Sequence, residues 1–251
     1  MKRFYGKYRG KVTANADPDA RGRLQVTVSR FPALKEAWAL PCAPYAGPQV
    51  GLYTVPPVGA NVWIEFEGGL LDSPIWSGCF WGIDETPKGL GKEVDPIRKV
   101  WRTDRTTLVI DDAQNDGGVT LRVDKPAVGI AELELSMTSS GVVLTVKSPV
   151  ASTVTLTADD ITLEHPQAKV KLTAQDIECA VPPASVTITA DAITDTVPPG
   201  KVEVSATSIV ATNSPGQLTV APTGVEATAG GGKVDITPAL VTIGAPLVKI
   251  N

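Results

Sequence analysis

The C-terminal half of this 251-residue chain lacks aromatic residues. All aromatic side chains lie at or before Trp101, and the last arginine is Arg122. Residues 151–251 are instead rich in threonine, alanine and valine. A compact domain needs bulky side chains to fill a three-dimensional core, whereas a thin fibre is filled by small aliphatic ones. The composition therefore predicts a globular N-terminal part and a rod-like C-terminal part.

The chain also lacks long apolar runs and an excess of positive charge. No segment approaches the ~18 apolar residues of a membrane-spanning helix. No apolar run follows the charged N-terminus, so no signal peptide is expected. The net charge is −4, and no basic stripe suits a phosphate backbone. We therefore expect a protein made in the cytoplasm, without a nucleic-acid partner.

Residues with catalytic or metal-binding chemistry are scarce. The one histidine, His165, precedes a proline in a turn. The cysteines Cys42, Cys79 and Cys179 have no CxxC spacing, so we interpret them as buried reduced thiols. Adjacent carboxylates in a strand point to opposite sides and do not form the facing pair of an acid–base catalyst. The sequence therefore predicts no catalytic, metal or cofactor site and no enzyme.

From Val154 onward the sequence repeats every sixteen residues, six times, without an insertion. Within each repeat a polar residue stands between two apolar ones, many of them β-branched, which is typical of a strand with one buried face. A fixed period indicates stacked, equivalent coils. The side chains predicted to point inward are Val154, Leu156, Val170, Leu172, Val186, Ile188, Val202, Val204, Leu218, Val220, Val234 and Ile236. A third apolar column consists of Ile161, Ile177, Ile193, Ile209, Val225 and Val241.

The length of the repeat bears on how many chains share its core. Sixteen residues are short for a single-chain solenoid, in which every coil must enclose its own core. Each repeat instead divides into two octads, each with one strand and one corner. Three intertwined chains would bring their apolar columns onto one axis and leave no exposed sheet edge. We therefore predict an intertwined triple-stranded β-helix with the inward residues as the trimer core; a single-chain solenoid is the alternative.

The N-terminal part has the pattern of a small barrel. Short strand patterns alternate with Gly/Pro turns at Tyr8–Val12, Arg23–Val28, Asn61–Phe66 and Ile75–Phe80. Five short strands over about 80 residues suit a Greek-key barrel of the OB type. The sequence thus predicts an all-β chain with an OB-fold head at 1–85, a linker and neck strands at 86–150, and a β-helical needle at 151–251.

Three ordered motifs in the head resemble the OB domain of spike proteins from contractile injection systems. Residues 17–26, DPDARGRLQV, are similar to the family's turn-and-strand motif DPxxxGRvkV. Residues 51–69 resemble its GxxxxPxxGxxVxVxFxxG motif, and residues 72–78 resemble its DxPxxxG motif. The family comprises phage baseplate spikes (baseplate assembly protein V), the valine-glycine-repeat proteins of type VI secretion, and the spikes of phage-tail-like injection particles.

The resemblance implies a homotrimeric spike that caps the tube at the baseplate and pierces the target membrane. The head would bind a hub or tube-initiator protein. That protein is expected to be a separate polypeptide, because the hub domains of the type VI relatives find no counterpart in this sequence. The resemblance also implies a small PAAR-type tip protein at the C-terminal end. The residues expected to dock it are Ile243, Leu247, Val248 and Ile250.

Two other functions remain open at the level of sequence. An OB-type nucleic-acid-binding protein with a fibrous tail would use Tyr5, Tyr8, Trp63 and Trp76 as stacking platforms. A cell-wall-degrading tail enzyme is the second. The acidic balance of the chain disfavours the first, and the missing pair of facing carboxylates disfavours the second.

Overall fold

A computed structural model describes residues 2–32, 34, 37–88, 95–115, 117–124, 132–147 and 150–246. In these ranges the chain consists of β-strands joined by turns and loops, with a short 3-10 turn at Glu67–Gly69. The predicted all-β class is confirmed. The chain divides into two compact units, Met1–Thr86 and Pro87–Asn251. Within the described ranges, no helix has the length and apolar character needed to span a bilayer.

The first unit is a closed barrel. Its strands are β1 (Tyr8–Ala14), β2 (Leu24–Thr27), β3 (Trp38–Pro41), β4 (Ala46–Gly47), β5 (Val50–Gly51), β6 (Asn61–Phe66) and β7 (Pro74–Cys79). The barrel has the order β1–β2–β3–β7–β6, and β4 and β5 form a separate small hairpin. The barrel neighbours are antiparallel except β3 and β7, which are parallel. The predicted five-stranded OB-type barrel is confirmed.

Side chains along each barrel strand point alternately inward and outward, and the inward ones fill the barrel. In β6, Val62 and Ile64 are fully buried and Phe66 is nearly so, whereas Trp63 lies on the outer face. Residues two apart in a strand share a face, which is why this alternation builds one core. The buried core residues are Val12, Leu24, Val26, Val28, Phe31, Leu34, Ala39, Val62, Ile64 and Phe66.

The second unit is a long antiparallel meander. Its strands are β8 (Arg98–Arg102), β9 (Thr106–Asp111), β10 (Gly118–Val123), β11 (Glu132–Thr138), β12 (Gly141–Lys147), β13 (Ser152–Leu156), β14 (Asp160–His165), β15 (Ala168–Thr173), β16 (Asp176–Val181), β17 (Ala184–Thr189), β18 (Ala192–Val197), β19 (Gly200–Ser205), β20 (Ile209–Asn213), β21 (Gly216–Ala221), β22 (Gly224–Ala229), β23 (Gly232–Ile236) and β24 (Val241–Gly244). From β13 onward each octad of the repeat holds one strand. Val154 pairs with Leu163 in the next strand. A parallel solenoid would instead pair residues one sixteen-residue coil apart.

A threonine or serine closes alternate hairpins of the repeat. The hydroxyl of Thr157 accepts hydrogen bonds from the backbone N–H groups of Asp159 (3.2 Å) and Asp160 (3.0 Å). The backbone N–H of Thr157 donates in turn to the Asp160 carbonyl oxygen at 2.9 Å. Thr173 and Ser205 make the same pair of hydroxyl contacts. These side chains satisfy turn amides that the sheet leaves unpaired, so the turn recurs with the sequence period.

Candidate functional site

Two rows of mostly apolar side chains run along one face of the meander. Cross-strand pairing defines row A as Trp101, Leu108, Leu121, Leu135, Leu144, Val154, Leu163, Val170, Cys179, Val186, Asp195, Val202, Ala211, Leu218, Ala227, Val234 and Ile243. Row B is Ile110, Val119, Met137, Val142, Leu156, Ile161, Leu172, Ile177, Ile188, Ile193, Val204, Ile209, Val220, Val225, Ile236 and Val241. Directly opposite residues of paired strands share a face, so each row is a continuous stripe.

The structure places every residue of the predicted trimer core in these rows. The column that starts at Val154 lies in row A, and the column that starts at Leu156 lies in row B. The third predicted column, which starts at Ile161, alternates with the second one in row B. The rows also extend through β8–β12, where the sequence repeat is not visible.

This apolar face is uncovered in the single chain. Leu156, Ile188 and Val204 are 42 %, 40 % and 41 % exposed, whereas the barrel core is nearly inaccessible. Soluble monomers rarely expose contiguous apolar patches larger than a few hundred Å². Rows A and B therefore form the candidate interaction surface of the second unit.

The three cysteines do not occupy the predicted environment. Cys42, Cys79 and Cys179 are unpaired and exposed, so the prediction of buried thiols is wrong for the single chain. Cys179 lies in row A and is exposed there, and the other two lie at the surface of the first unit. Partial burial still raises the pKa of the Cys79 thiol. Asp195 also interrupts row A, with a carboxylate between Val186 and Val202.

The opposite face of the meander is mostly polar and carries ion pairs. In the single chain it is the less exposed face, since Thr107, Val109 and Thr162 on it are buried. The Lys171 ammonium lies 3.0 Å from the Asp160 carboxylate. The hydrogen bond between them raises the pKa of Lys171 and lowers that of Asp160, because each ion stabilises the charged form of the other. Lys147 likewise bridges Glu134 at 2.7 Å and Glu132 at 2.9 Å. The paired side chains are 23–44 % exposed, so these ion pairs are in partial contact with water.

The other residues singled out in the second unit lie at turns or at its end. Ile243 ends row A and is 55 % exposed. The remaining predicted tip-docking residues, Leu247, Val248 and Ile250, lie outside the described residues. His165 is exposed at the end of β14, opposite Ala168. Within the described ranges, no group of three or more His, Cys, Asp or Glu side chains is placed to hold a metal ion.

Asp17 organises the first motif of the head. Its carboxylate accepts hydrogen bonds from the backbone N–H groups of Asp19, Arg21 and Arg23 at 3.1, 2.8 and 3.2 Å. The Arg23 guanidinium donates to the same carboxylate at 2.6 Å. That charged bond, reinforced by the backbone donors, holds the pKa of Asp17 far below its usual range. Gly22 closes the turn at φ +72°, a conformation that favours glycine. The motif therefore has a scaffold role.

The four aromatic residues considered as stacking platforms do not share one surface. Tyr8 and Trp76 pack against the barrel core. Trp63 lies on the outer face, where its ring packs on Phe80 at 4.7 Å between centroids. Tyr5 is 70 % exposed. Successive bases of a single strand need a continuous platform, which these side chains do not provide.

The barrel and the strand repeat define an all-β chain with an OB head and a long repeating sheet consistent with a β-helical needle. The family model of the type VI secretion system/phage-baseplate injector OB domain matches residues 8–81. These residues belong to that family, which confirms the resemblance to baseplate spikes and supports a baseplate-spike role. The family is a structural one and implies a component of a phage particle or injection machine. No curated protein matched the chain significantly.

Proposed function

We propose that this chain is the central spike of a contractile injection machine. Three copies would form a spike whose OB heads (1–85) cap the tube at the baseplate. A neck (86–150) and a needle (151–251) would extend toward the target membrane. The match at residues 8–81 supports the position in a baseplate, and the uncovered rows A and B support the trimer.

Rows A and B are the observation on which the trimer depends. Fully burying a Val, Leu or Ile side chain contributes roughly 1.5–3 kcal/mol, so covering an exposed two-fifths contributes about 1 kcal/mol. The repeat presents one side chain of each row in every strand from β13 to β24. With Asp195 left out, because burial of its carboxylate opposes assembly, the sum over both rows still exceeds the ~4–15 kcal/mol that association costs in lost translational and rotational freedom.

An intertwined triangular prism covers both rows at once. In the single chain each strand takes its neighbours from its own sequence. In the prism the same strands would exchange these neighbours for strands of the other two copies. The rows would stay on the inner face, because the alternation of side chains along a strand does not change. Ion pairs such as Lys171–Asp160 would then lie on the outer face, in contact with water.

The proposed mechanism is mechanical and needs no catalytic residue. Strands stack at about 4.8 Å, so twelve strands on each face of the prism make a rod of roughly 55–60 Å. That length exceeds the ~30 Å hydrocarbon core of a bilayer. A narrow, stiff rod concentrates the force of sheath contraction on a small membrane area.

We place the partner proteins at the two ends of the spike. A hub or tube-initiator protein would bind the head, and a PAAR-type tip protein would dock on the C-terminal residues Ile243, Leu247, Val248 and Ile250. Truncation after Ile243 should leave the trimer intact and abolish co-purification with the tip protein. Capture of the tip protein by the truncated spike would contradict this docking site.

Electron microscopy of assembled particles tests the proposed function. A particle assembled with an epitope-tagged head should show the antibody label on the axis of the baseplate. A label on the sheath, the fibres or the far end of the tube would refute the assignment as central spike. Particles assembled without the tag provide the control for nonspecific labelling.

A further inference from the structure

A cavity of about 880 Å³ opens on the first unit. It lies between the turn at residues 20–22, the segment 41–55 and residues 76–78 of β7. Its volume falls within the ~300–1,000 Å³ of typical ligand sites. Tyr45 and Tyr53, which are 60 % and 70 % exposed, stand at its wall together with Trp76. Arg21, Gly22 and Trp76 have the scaffold roles described above and also line this cavity, but those roles leave its interior unused.

Hydrogen bonds hold the walls of this cavity in place. The Trp76 indole N–H donates to the Gly22 carbonyl oxygen at 3.1 Å. The backbone N–H of Cys42 donates to the Trp76 carbonyl oxygen at 2.9 Å, and that of Leu52 donates to the Tyr45 carbonyl oxygen at 2.9 Å. A binding site with fixed walls loses little conformational entropy when a ligand enters. The cavity is therefore preformed.

The β4–β5 hairpin at the wall contains a strained residue. Gln49 lines the cavity with φ +62°, a left-handed conformation that few non-glycine residues adopt. Gly51, at the end of the hairpin, has φ +155°, and a Cβ there would lie 2.9 Å from the Tyr45 carbonyl oxygen. Such strain persists only where the surroundings enforce it, and it clusters at binding sites.

Arg21 is the charged residue among those that line the cavity. The described residues offer it no ion pair, whereas its neighbour Arg23 is paired with both Asp17 and Asp19. A free guanidinium beside aromatic walls matches a carboxylate, which it binds through two parallel N–H donors. A single cation does not suit a nucleic acid, whose affinity depends on several phosphate contacts.

We propose that this cavity binds an extended peptide segment of a neighbouring baseplate protein. A carboxylate of that segment pairs with Arg21, and an apolar or aromatic side chain of it packs against Tyr45 and Tyr53. Tyrosine and arginine are the residues that most often anchor protein interfaces. The choice of a protein ligand rests on the proposed function, because other proteins surround the head in a baseplate.

Disulfide exchange at Cys42 tests this proposal directly, since its exposed thiol lines the cavity. A variant with Cys79→Ser and Cys179→Ser is equilibrated with mixed disulfides of short peptides over a range of mercaptoethanol concentrations. The peptides end in cysteine and carry glutamate, glutamine or lysine beside it. Mass spectrometry should show the glutamate peptide still attached to Cys42 at mercaptoethanol concentrations about fivefold higher than those that release the glutamine peptide. One ion pair that contributes ~1 kcal/mol predicts this ratio. The lysine peptide should be retained least.

Three controls separate binding from general charge effects. Arg21→Gln should abolish the preference for glutamate, and Tyr53→Ala should weaken retention of all the peptides. Cys79 lies outside the cavity lining, so the variant with Cys42→Ser and Cys179→Ser should show no preference. Equal retention at Cys42, or a preference unchanged by Arg21→Gln, would overturn the proposal.

A nucleic-acid ligand is a separate outcome of the same design. Binding of a fluorescent oligothymidylate that is lost in Arg21→Gln, without any peptide preference, would make the cavity a nucleic-acid site and refute the peptide. Light scattering on the same samples reports the trimer independently. Failure of the peptide site and failure of the spike assignment are therefore distinguishable.

Discussion

Neighbouring residues of β13 lie on opposite faces of the meander. Leu156 belongs to row B and is 42 % exposed, whereas Thr155 points to the opposite face between Val143 and Thr162. Leu156→Asp in the trimer would place three carboxylates against each other inside the prism. The change removes about 1 kcal/mol of apolar burial on assembly per copy, because about two-fifths of the Leu156 side chain is exposed in the single chain, and each unpaired buried charge costs several kcal/mol more. Thr155→Asp instead places its charge on the opposite, polar face, away from the proposed apolar interior.

Light scattering and circular dichroism of the two variants measure this difference. Leu156→Asp should reduce the yield of trimer at least tenfold, which requires only about 1.4 kcal/mol in association free energy. Thr155→Asp should assemble as the unchanged chain does, and its strand content should match. Equal trimer yields from the two variants would refute the assignment of rows A and B to the inside of the assembly.

Three further predictions follow from single sites. In the assembled spike the Cys179 thiol should resist a thiol reagent that modifies Cys42 within the same sample; equal reaction rates would mean that row A stays open. Asp17→Asn should lower the thermal stability of the head at pH 7. Because the pKa of Asp17 is depressed in the folded head, the difference in melting temperature between the variant and the unchanged protein should shrink as the pH falls below about 4. A difference that does not vary with pH would contradict the ion-pair account. Thr173→Val should destabilise the needle by about 1 kcal/mol per copy through loss of its turn hydrogen bonds, and Thr187→Val, on the polar face, should not.

The sequence predicts those barrel strands in which buried and outer side chains alternate. Asn61–Phe66 appears as β6 with the predicted bounds, because buried and outer residues follow one another there without a break. Trp38–Pro41 has no such pattern, and its pairing with β2 and β7 depends on tertiary contacts. The cavity was not predicted either, since its lining comes from three separate segments of the chain that meet only in the folded barrel.

In the needle the sequence period predicts the spacing of strands but not their partners. Sixteen residues per repeat are compatible with a meander as well as with a coil. The antiparallel hairpins bring Leu156 opposite Ile161, only five positions away, and so merge two sequence columns into row B. The rows continue through Trp101 and Leu121, where irregular loop lengths hide the period.

The mass of the unmodified protein in solution tests the central claim most directly. Multi-angle light scattering across a wide range of concentrations should give a single species at three times the chain mass of 26.2 kDa, with no monomer at the lowest concentration. A folded monomer would show that rows A and B stay in contact with water, and it would contradict the account of this chain as a trimeric spike.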